Sequence, residues 1–234
     1  MKALLLAAGY GKRLRPITNK IPKCLVPIKD KPLLGIWLNR LHLSGFGPFL
    51  INTHYKHNQV SDFINNFNQD LKLDIKIVYE EKLLGTAGTL IANLDFINED
   101  DDDLILIHAD NYCLANLNEF KIAHKNRPKE CLMSMMVFKT DTPRDCGIVE
   151  LDKNNILINL YEKVSDPPNN LANGAIYILS KQMLHKIKKN FLDSEDFVLD
   201  IILNNFGKIF CYETSDLFLD IGTKENYKKA NTYN

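Results

Sequence analysis

Long apolar runs, a surplus of either charge and any cysteine pattern are all missing from this chain of 234 residues. The apolar run near the N-terminus, in MKALLLAAGYGKRL, ends at glycines and cations, too short for a secretory core or a membrane span. A cytoplasmic location is the expectation that follows. Twenty-nine Lys and Arg balance twenty-nine Asp and Glu, so no global field draws the protein to nucleic acid or to an anionic membrane. Phosphate chemistry, if present, must be local. The five cysteines, Cys24, Cys113, Cys131, Cys146 and Cys211, are odd in number and form neither CxxC pairs nor a zinc-spaced His/Cys cluster, so they read as reduced thiols.

What is present is a composition able to build a sizeable core, with 45% hydrophobic and 25% charged residues. No internal repeat and no Gly/Pro/Ser linker interrupts it, which predicts one large globular domain over 1–234. In the first half, strand-like runs alternate with helical patterns, the signature of an α/β fold with a mostly parallel sheet. Strands are expected at Lys2 to Ala8, Phe49 to Asn52, Ile75 to Tyr79 and Leu104 to His108. Helices are expected at Pro32 to Ser44, around Val60 to Phe67, and at Thr86 to Leu94. From Leu132 the chain turns β-rich, with strands at Leu132 to Phe138, Ile148 to Leu151, Ile156 to Tyr161 and Ala172 to Leu179. Helical patterns return at Lys181 to Lys189 and Phe197 to Asn205. Strands at Lys208 to Tyr212 and Leu217 to Ile221 and a helix near Lys224 to Ala230 close the chain. The acidic run Glu99 to Asp103 and the cluster Lys186, Lys188 and Lys189 read as solvated surface.

The most informative stretch is Leu6-Ala7-Ala8-Gly9-Tyr10-Gly11-Lys12-Arg13-Leu14-Arg15-Pro16, followed by Ile21-Pro22-Lys23-Cys24-Leu25. Two glycines directly after a strand let backbone N–H groups approach phosphate oxygens. Lys12, Arg13, Arg15 and Lys23 supply cations suited to charge-assisted bonds with a triphosphate. Neither standard phosphate motif is met: Leu14 stands where GxGxxG needs its third glycine, and GxxxxGK[ST] is absent. Read alone, Gly9 to Arg13 also fits a tight turn with solvated cations.

The segment LLLAAGYGKRLRPITNKIPKCLVPI resembles the N-terminal signature of the sugar-1-phosphate nucleotidyltransferases, roughly A-x-G-x-G-x-R-L-x-P-[LI]-T followed by P-K-x-L-x-P-[VI]. That resemblance implies a Rossmann-like three-layer α/β/α fold with a β-rich substrate lobe. It makes Arg13 and Lys23 the catalytic candidates and places Leu6, Ala8, Gly9, Gly11, Lys12 and Arg13 against the nucleotide phosphates. Glu81-Lys82-Leu83-Leu84-Gly85-Thr86-Ala87-Gly88 is similar to the family's base-binding segment, which adds Glu81, Gly85, Thr86 and Ala87. His108-Ala109-Asp110-Asn111 resembles the metal-binding GD element with alanine for glycine, and Phe218-Leu219-Asp220-Ile221-Gly222-Thr223 the late DxGT element. Asp110 and Asp220 are thereby implied as the ligands of Mg²⁺, with Asn111 beside the substrate. Cys146 to Asp152, Tyr161-Glu162-Lys163 and Leu171 to Tyr177 resemble the sugar-pocket elements, implying Gly147, Glu162, Lys163, Asn173 and Gly174 as substrate residues. Val164 replaces the usual proline. His108, the histidine nearest these residues, is expected to be structural.

The implied reaction joins a nucleoside triphosphate to a sugar 1-phosphate with release of pyrophosphate. GTP and a mannose- or heptose-type sugar are favoured by LGTAG, and uridylyl or cytidylyl transfer on the same fold are alternatives. NGAIYIL favours a sugar over choline. A catalytically silent regulatory homologue is the reading from another class; Arg13, Lys23, Asp110 and Asp220 all being present weighs against it. A Rossmann dehydrogenase is disfavoured by the glycine pattern. The expected state is monomer or homodimer, without nucleic acid or membrane partners and without the C-terminal β-helix of some relatives.

Overall fold

Continuous apolar segments set the strands and punctuated ones set the helices. The computed structural model describes residues 1–96 and 103–233. Its elements in order begin with β1 (Lys2–Leu6), then three single 3-10 turns at Lys12–Leu14, Ile17–Asn19 and Lys23–Leu25. A small hairpin, β2 (Pro27–Ile28) and β3 (Lys31–Pro32), leads into α1 (Leu33–Leu43), β4 (Phe49–Thr53), α2 (His57–Leu71) and β5 (Ile75–Tyr79). Next come α3 (Gly85–Ala92), β6 (Leu104–His108), β7 (Asn111–Cys113), α4 (Leu117–Lys125), β8 (Met133–Lys139), β9 (Gly147–Leu151) and β10 (Leu157–Glu162). β11 (Leu171–Leu179), α5 (Lys181–Asn190), a π-type turn at Phe197–Ile202, β12 (Ile209–Thr214), β13 (Phe218–Asp220) and α6 (Lys224–Thr232) complete the chain. The chain is mixed α/β, as its alternating pattern predicts.

Two compact units form. The first holds Met1–Leu83, Ile107–Leu114 and Leu217–Asn234. In it β1, β4 and β5 make a parallel ladder, with Ala3 opposite Phe49 and Phe49 opposite Ile75. β4 is buried along its whole length, which is why Phe49, Leu50 and Ile51 follow one another without alternation and why the polar Asn52 and Thr53 that end it are buried as well. α1 buries Leu33, Leu34, Trp37, Leu38 and Leu41, a stripe at helical spacing. The indole of Trp37 donates to the Asn111 carbonyl at 2.7 Å. This bond ties α1 to the strand that follows Asp110.

The second unit holds Leu84–Leu106 and Ala115–Asp216. Here β10, β9, β11 and β8 pair antiparallel in that order, and β12 adds in parallel to β8. This is the β-rich region that the second half of the sequence predicts, although α3, α4 and α5 belong to the same unit. α5 starts at Ser180, whose hydroxyl accepts from the Met183 N–H, and buries Met183, Leu184 and Ile187. Its Lys188 and Lys189 are exposed, but Lys186 departs from the solvated reading, since its Nζ donates to Asn205 Oδ1 at 2.5 Å.

Several boundaries differ from the expected ones, and one helix, α4, has no counterpart among them. Residues 99–102 of the acidic run lie outside the described residues. Asp103, its last member, is not simply solvated: its carboxylate bonds to the ring of buried His124 at 3.0 Å and accepts from the Lys181 N–H at 3.2 Å. All five cysteines are free thiols, four of them buried. Among the described residues no helix is long and apolar enough to cross a membrane.

Candidate active site

The glycine loop leaves β1 through Ala7 and Ala8, both buried, and emerges at Gly9 and Tyr10, both exposed. The Ala7 N–H donates to Asn52 Oδ1 at 2.7 Å, which fixes the point of exit. Gly11 sits at φ +63°, and a β-carbon there would stand 2.9 Å from the Thr18 methyl and 3.0 Å from Lys23 Cβ. Backbone conformation and space both require glycine. Thr18 Oγ1 donates to the Gly11 carbonyl at 2.8 Å and holds the turn. Leu14, the residue that breaks the dinucleotide fingerprint, is completely buried. It anchors the 3-10 turn Lys12–Leu14 and leaves Lys12 and Arg13 exposed on its outer side.

Lys23 starts another 3-10 turn, with Cys24 buried behind it. Its side chain is only 7% exposed, and its ammonium donates to Asp110 Oδ2 at 2.7 Å and to Asp220 Oδ1 at 2.9 Å. Burial works against the charge, but the two carboxylates outweigh it and hold the Lys23 pKa above the ordinary lysine value. At Asp110 burial disfavours the carboxylate, yet the ammonium of Lys23 and, after it, His108 keep its pKa below the usual range. The other oxygen of Asp220, Oδ2, accepts from Arg13 Nη2 at 3.0 Å. The four strongest sequence candidates, Arg13, Lys23, Asp110 and Asp220, therefore form one connected network within the first unit.

Two short elements create this meeting. β7 follows Asp110 directly and pairs antiparallel with β13, placing Asp220 opposite Asn111. The Ile221 N–H then donates to the Asp110 carbonyl at 3.2 Å. Ala109, where relatives of the resembled family carry glycine, is fully buried and donates its N–H to Leu6 at 3.0 Å, so the substitution leaves Asp110 in the network. Gly222 is a participant that motif reading alone does not single out. A β-carbon on it would lie 2.7 Å from both Arg13 Nη2 and Asp220 Oδ2. The glycine of D-x-G-T is the available signal: it clears space for the guanidinium.

A pocket of about 250 Å³ opens here, lined by the glycine loop from Gly9 to Arg13 together with Leu6, Lys23, Cys24, Asp110 and Gly222. Burial and, secondarily, Asp110 push the Cys24 thiol up to about 12, so it carries no thiolate chemistry at neutral pH. Tyr10 also lines the pocket and is not among the expected site residues. Asp110 and Asp220 converge on the Lys23 ammonium and are the two carboxylates here whose hard oxygens could hold a divalent cation; among the described residues no cluster of three or more His, Cys, Asp or Glu side chains forms. Mg²⁺ uses one or two carboxylates and draws its remaining oxygens from water and phosphate.

The expected base segment is divided. Glu81 is exposed in the first unit, whereas Gly85, Thr86 and Ala87 belong to the second. Gly85 takes φ +80° at the start of α3. Thr86 Oγ1 accepts from the Phe197 N–H at 2.8 Å, and the Ala87 N–H donates to the Glu195 carbonyl at 2.9 Å. Those two groups are engaged within the protein.

Of the substrate candidates, Gly147 faces Glu162 across the β9–β10 ladder, and the Glu162 carboxylate pairs with Lys163 Nζ at 3.0 Å. Lys163 has φ +50°, a turn conformation that directs the chain away after β10. Asn173 bonds to the buried phenol of Tyr177 at 2.8 Å beside a bulge in β11 that includes Gly174. Asn111 is buried in the first unit, at the β7–β13 ladder.

Known proteins similar to this chain belong to one enzyme family. The sequence pattern of the family described as Nucleotidyl transferase matches residues 2–234. A candidate mannose-1-phosphate guanyltransferase of Sulfolobus acidocaldarius is 30% identical over 99% of this chain, which spans 62% of that protein's length. The D-glycero-alpha-D-manno-heptose 1-phosphate guanylyltransferase of Campylobacter jejuni is 29% identical, with 97% of each chain covered. Among solved structures, a candidate glucose-1-phosphate thymidylyltransferase of Bacillus anthracis, determined with sucrose, superposes with a TM-score of 0.86. It is 25% identical, over 99% of this chain and 94% of that one. With a family match along nearly its whole length, the chain belongs to the nucleotidyl transferase family.

Proposed function

We propose that residues 1–234 act as one catalytic domain that transfers a nucleoside monophosphate from a triphosphate to a sugar 1-phosphate, releasing pyrophosphate. GTP and a mannose- or heptose-type sugar phosphate are the favoured substrates. The observation that carries this reading is the buried Lys23 ammonium joined to Asp110 and Asp220, with Arg13 on the second aspartate, at a pocket walled by the glycine loop.

In the reaction an oxygen of the sugar phosphate bonds to the α-phosphorus as the bond from that phosphorus to the bridging oxygen of the β-phosphate breaks. A phosphate monoester has a second pKa of about 6, so the nucleophile is largely ionised at neutral pH and no general base is needed. Arg13 and Lys23 stabilise the phosphate charge by position and hydrogen bonding. The planar fork of Arg13 can span two oxygens, while Lys23 acts as a point charge. Asp110 and Asp220 are the proposed holders of Mg²⁺, which when bound would neutralise phosphate charge and orient the triphosphate.

The preference for GTP is supported by two similar proteins, from Sulfolobus and Campylobacter, whose names specify guanylyl transfer. A structural neighbour named for thymidylyl transfer keeps dTTP in the comparison. A pyrophosphate-release screen of GTP, UTP, CTP and dTTP against sugar 1-phosphates separates these. Turnover with GTP and mannose or heptose 1-phosphate is the expected result. Turnover confined to another base corrects the specificity, and no release with any pair refutes the activity.

A further inference from the structure

Tyr10 stands between the two glycines of the loop, and it is tied at its far end to a segment outside the loop. Its hydroxyl lies 2.9 Å from His54 Nε2. His54 Nδ1 lies 2.8 Å from the Glu80 carbonyl, which can only accept, so Nδ1 carries the hydrogen. In the neutral ring Nε2 is then the acceptor and Tyr10 the donor. The Tyr10 ring meets His54 edge-on at 5.3 Å, tilts against Tyr55 at 5.6 Å, and lies 5.3 Å from Lys12 Nζ.

The support beneath this chain is buried. Glu80 is 4% exposed and Asn52 3% exposed. Asn52 Nδ2 donates to Glu80 Oε1 at 2.8 Å while Asn52 Oδ1 accepts from the Ala7 N–H at 2.7 Å. The Glu80 N–H in turn donates to Thr53 at 2.8 Å. The loop is thus held at Ala7 by Asn52 and at Tyr10 by His54, and both holders rest on Glu80, the residue immediately before Glu81. All of these residues belong to the first unit.

We propose that Tyr10 and His54 are positioning residues which hold the glycine loop in its phosphate-receiving conformation and couple it to the segment at Glu80 and Glu81. The exposed loop has to hold its shape before a triphosphate arrives, and Gly9 faces open space, since a β-carbon added to it would meet no atom within 4 Å, so a brace must come from its neighbours. The Tyr10 hydroxyl supplies that brace from outside. Removing it leaves the ring, its contacts and Lys12 in place, while the loop samples conformations that bind phosphate poorly. The inference rests on the reading of this pocket as a triphosphate site.

Two measurements test it. In the free protein, amide hydrogen exchange across residues 9–13 should speed up in Tyr10→Phe, with the melting temperature unchanged. In steady-state kinetics with GTP and Mg²⁺, Tyr10→Phe should raise the nucleotide KM about tenfold, the scale of one lost hydrogen bond. The sugar phosphate KM and kcat should stay near wild type. His54→Gln should do the same, and the double variant should be no worse than either single one, because the two act as one link. Unchanged loop exchange in Tyr10→Phe, or multiplicative effects of the two substitutions, would overturn the coupling. Failure of the wild-type protein to bind any of the four triphosphates would instead remove the functional reading.

Discussion

At the residue scale, Gly11 and Lys23 bear the most specific constraints. Gly11→Ala must place a β-carbon against Thr18 at a backbone angle that L-residues avoid. We expect it to lose roughly 1–3 kcal/mol of stability by thermal or denaturant unfolding, with weakened nucleotide binding beyond that. Lys23→Met removes a buried ammonium that two carboxylates share. With that counter-charge gone, Asp110 loses its ammonium partner, Asp220 keeps only Arg13, and the proposed contact to the reacting phosphate is lost. We expect kcat/KM to fall by about 10²-fold or more. Arg13→Lys is the companion test, because an ammonium keeps the charge of Arg13 but not its planar fork. Near-wild-type turnover in that variant would reduce Arg13, whose side chain is 64% exposed, to a solvated loop cation.

At the element scale, α4 shows how a polar pin joins neighbouring segments. His124 is fully buried; its Nδ1 meets Ser134 Oγ at 2.7 Å and its Nε2 meets Asp103 at 3.0 Å. Burial, only partly opposed by Asp103, holds the His124 pKa below the ordinary histidine value. Asp103 is itself held below the carboxylate range: burial opposes its charge, but the bond to His124 and the other partners prevail. The unfolded chain therefore takes up protons first in both cases. Stability contributed by His124 is present above about pH 6.5 and is lost as pH falls from there towards its depressed folded pKa; the Asp103 contribution is lost only below about pH 4. Denaturant unfolding across pH 4 to 8 should show the upper loss in the wild type and a smaller slope in His124→Gln. Equal slopes would contradict this assignment.

The same helix marks where sequence legibility ends. Its apolar period is broken by Ile122, which is 57% exposed, and by His124, which is buried, so hydrophobic spacing alone conceals it. The readable sign is the cap: Asn116 accepts from the N–H groups of Asn118 and Glu119 while its amide donates to Glu119 Oε1. β1, β4 and β6 are legible because a strand covered on both faces leaves a largely apolar run, and β5 because its β-branched residues alternate with exposed Lys76. The glycine loop and Lys23 are legible because their chemistry is local. The approach of Asp220 to Asp110 is not, since it depends on a three-residue ladder too short to leave a period. Nor can local sequence show that Thr86 Oγ1 is engaged by the Phe197 N–H, 111 residues away.

At the scale of the whole molecule, residues far apart in the chain supply one network. Arg13 and Lys23 come from the segment after β1, Asp110 from the turn between β6 and β7 and Asp220 from β13, near the last helix. The central claim is that this network carries nucleotidyl transfer through two carboxylates that share one Mg²⁺. Its most direct test is Mg²⁺-dependent pyrophosphate release, measured for the wild type, Asp110→Asn, Asp220→Asn and the double variant with GTP and a mannose- or heptose-type sugar 1-phosphate. The account predicts activity that chelator abolishes and Mg²⁺ restores, a loss of about 10²-fold or more in each single variant, and a double variant little worse than the weaker single one. Full wild-type activity in chelator, or losses that multiply in the double variant, would contradict it.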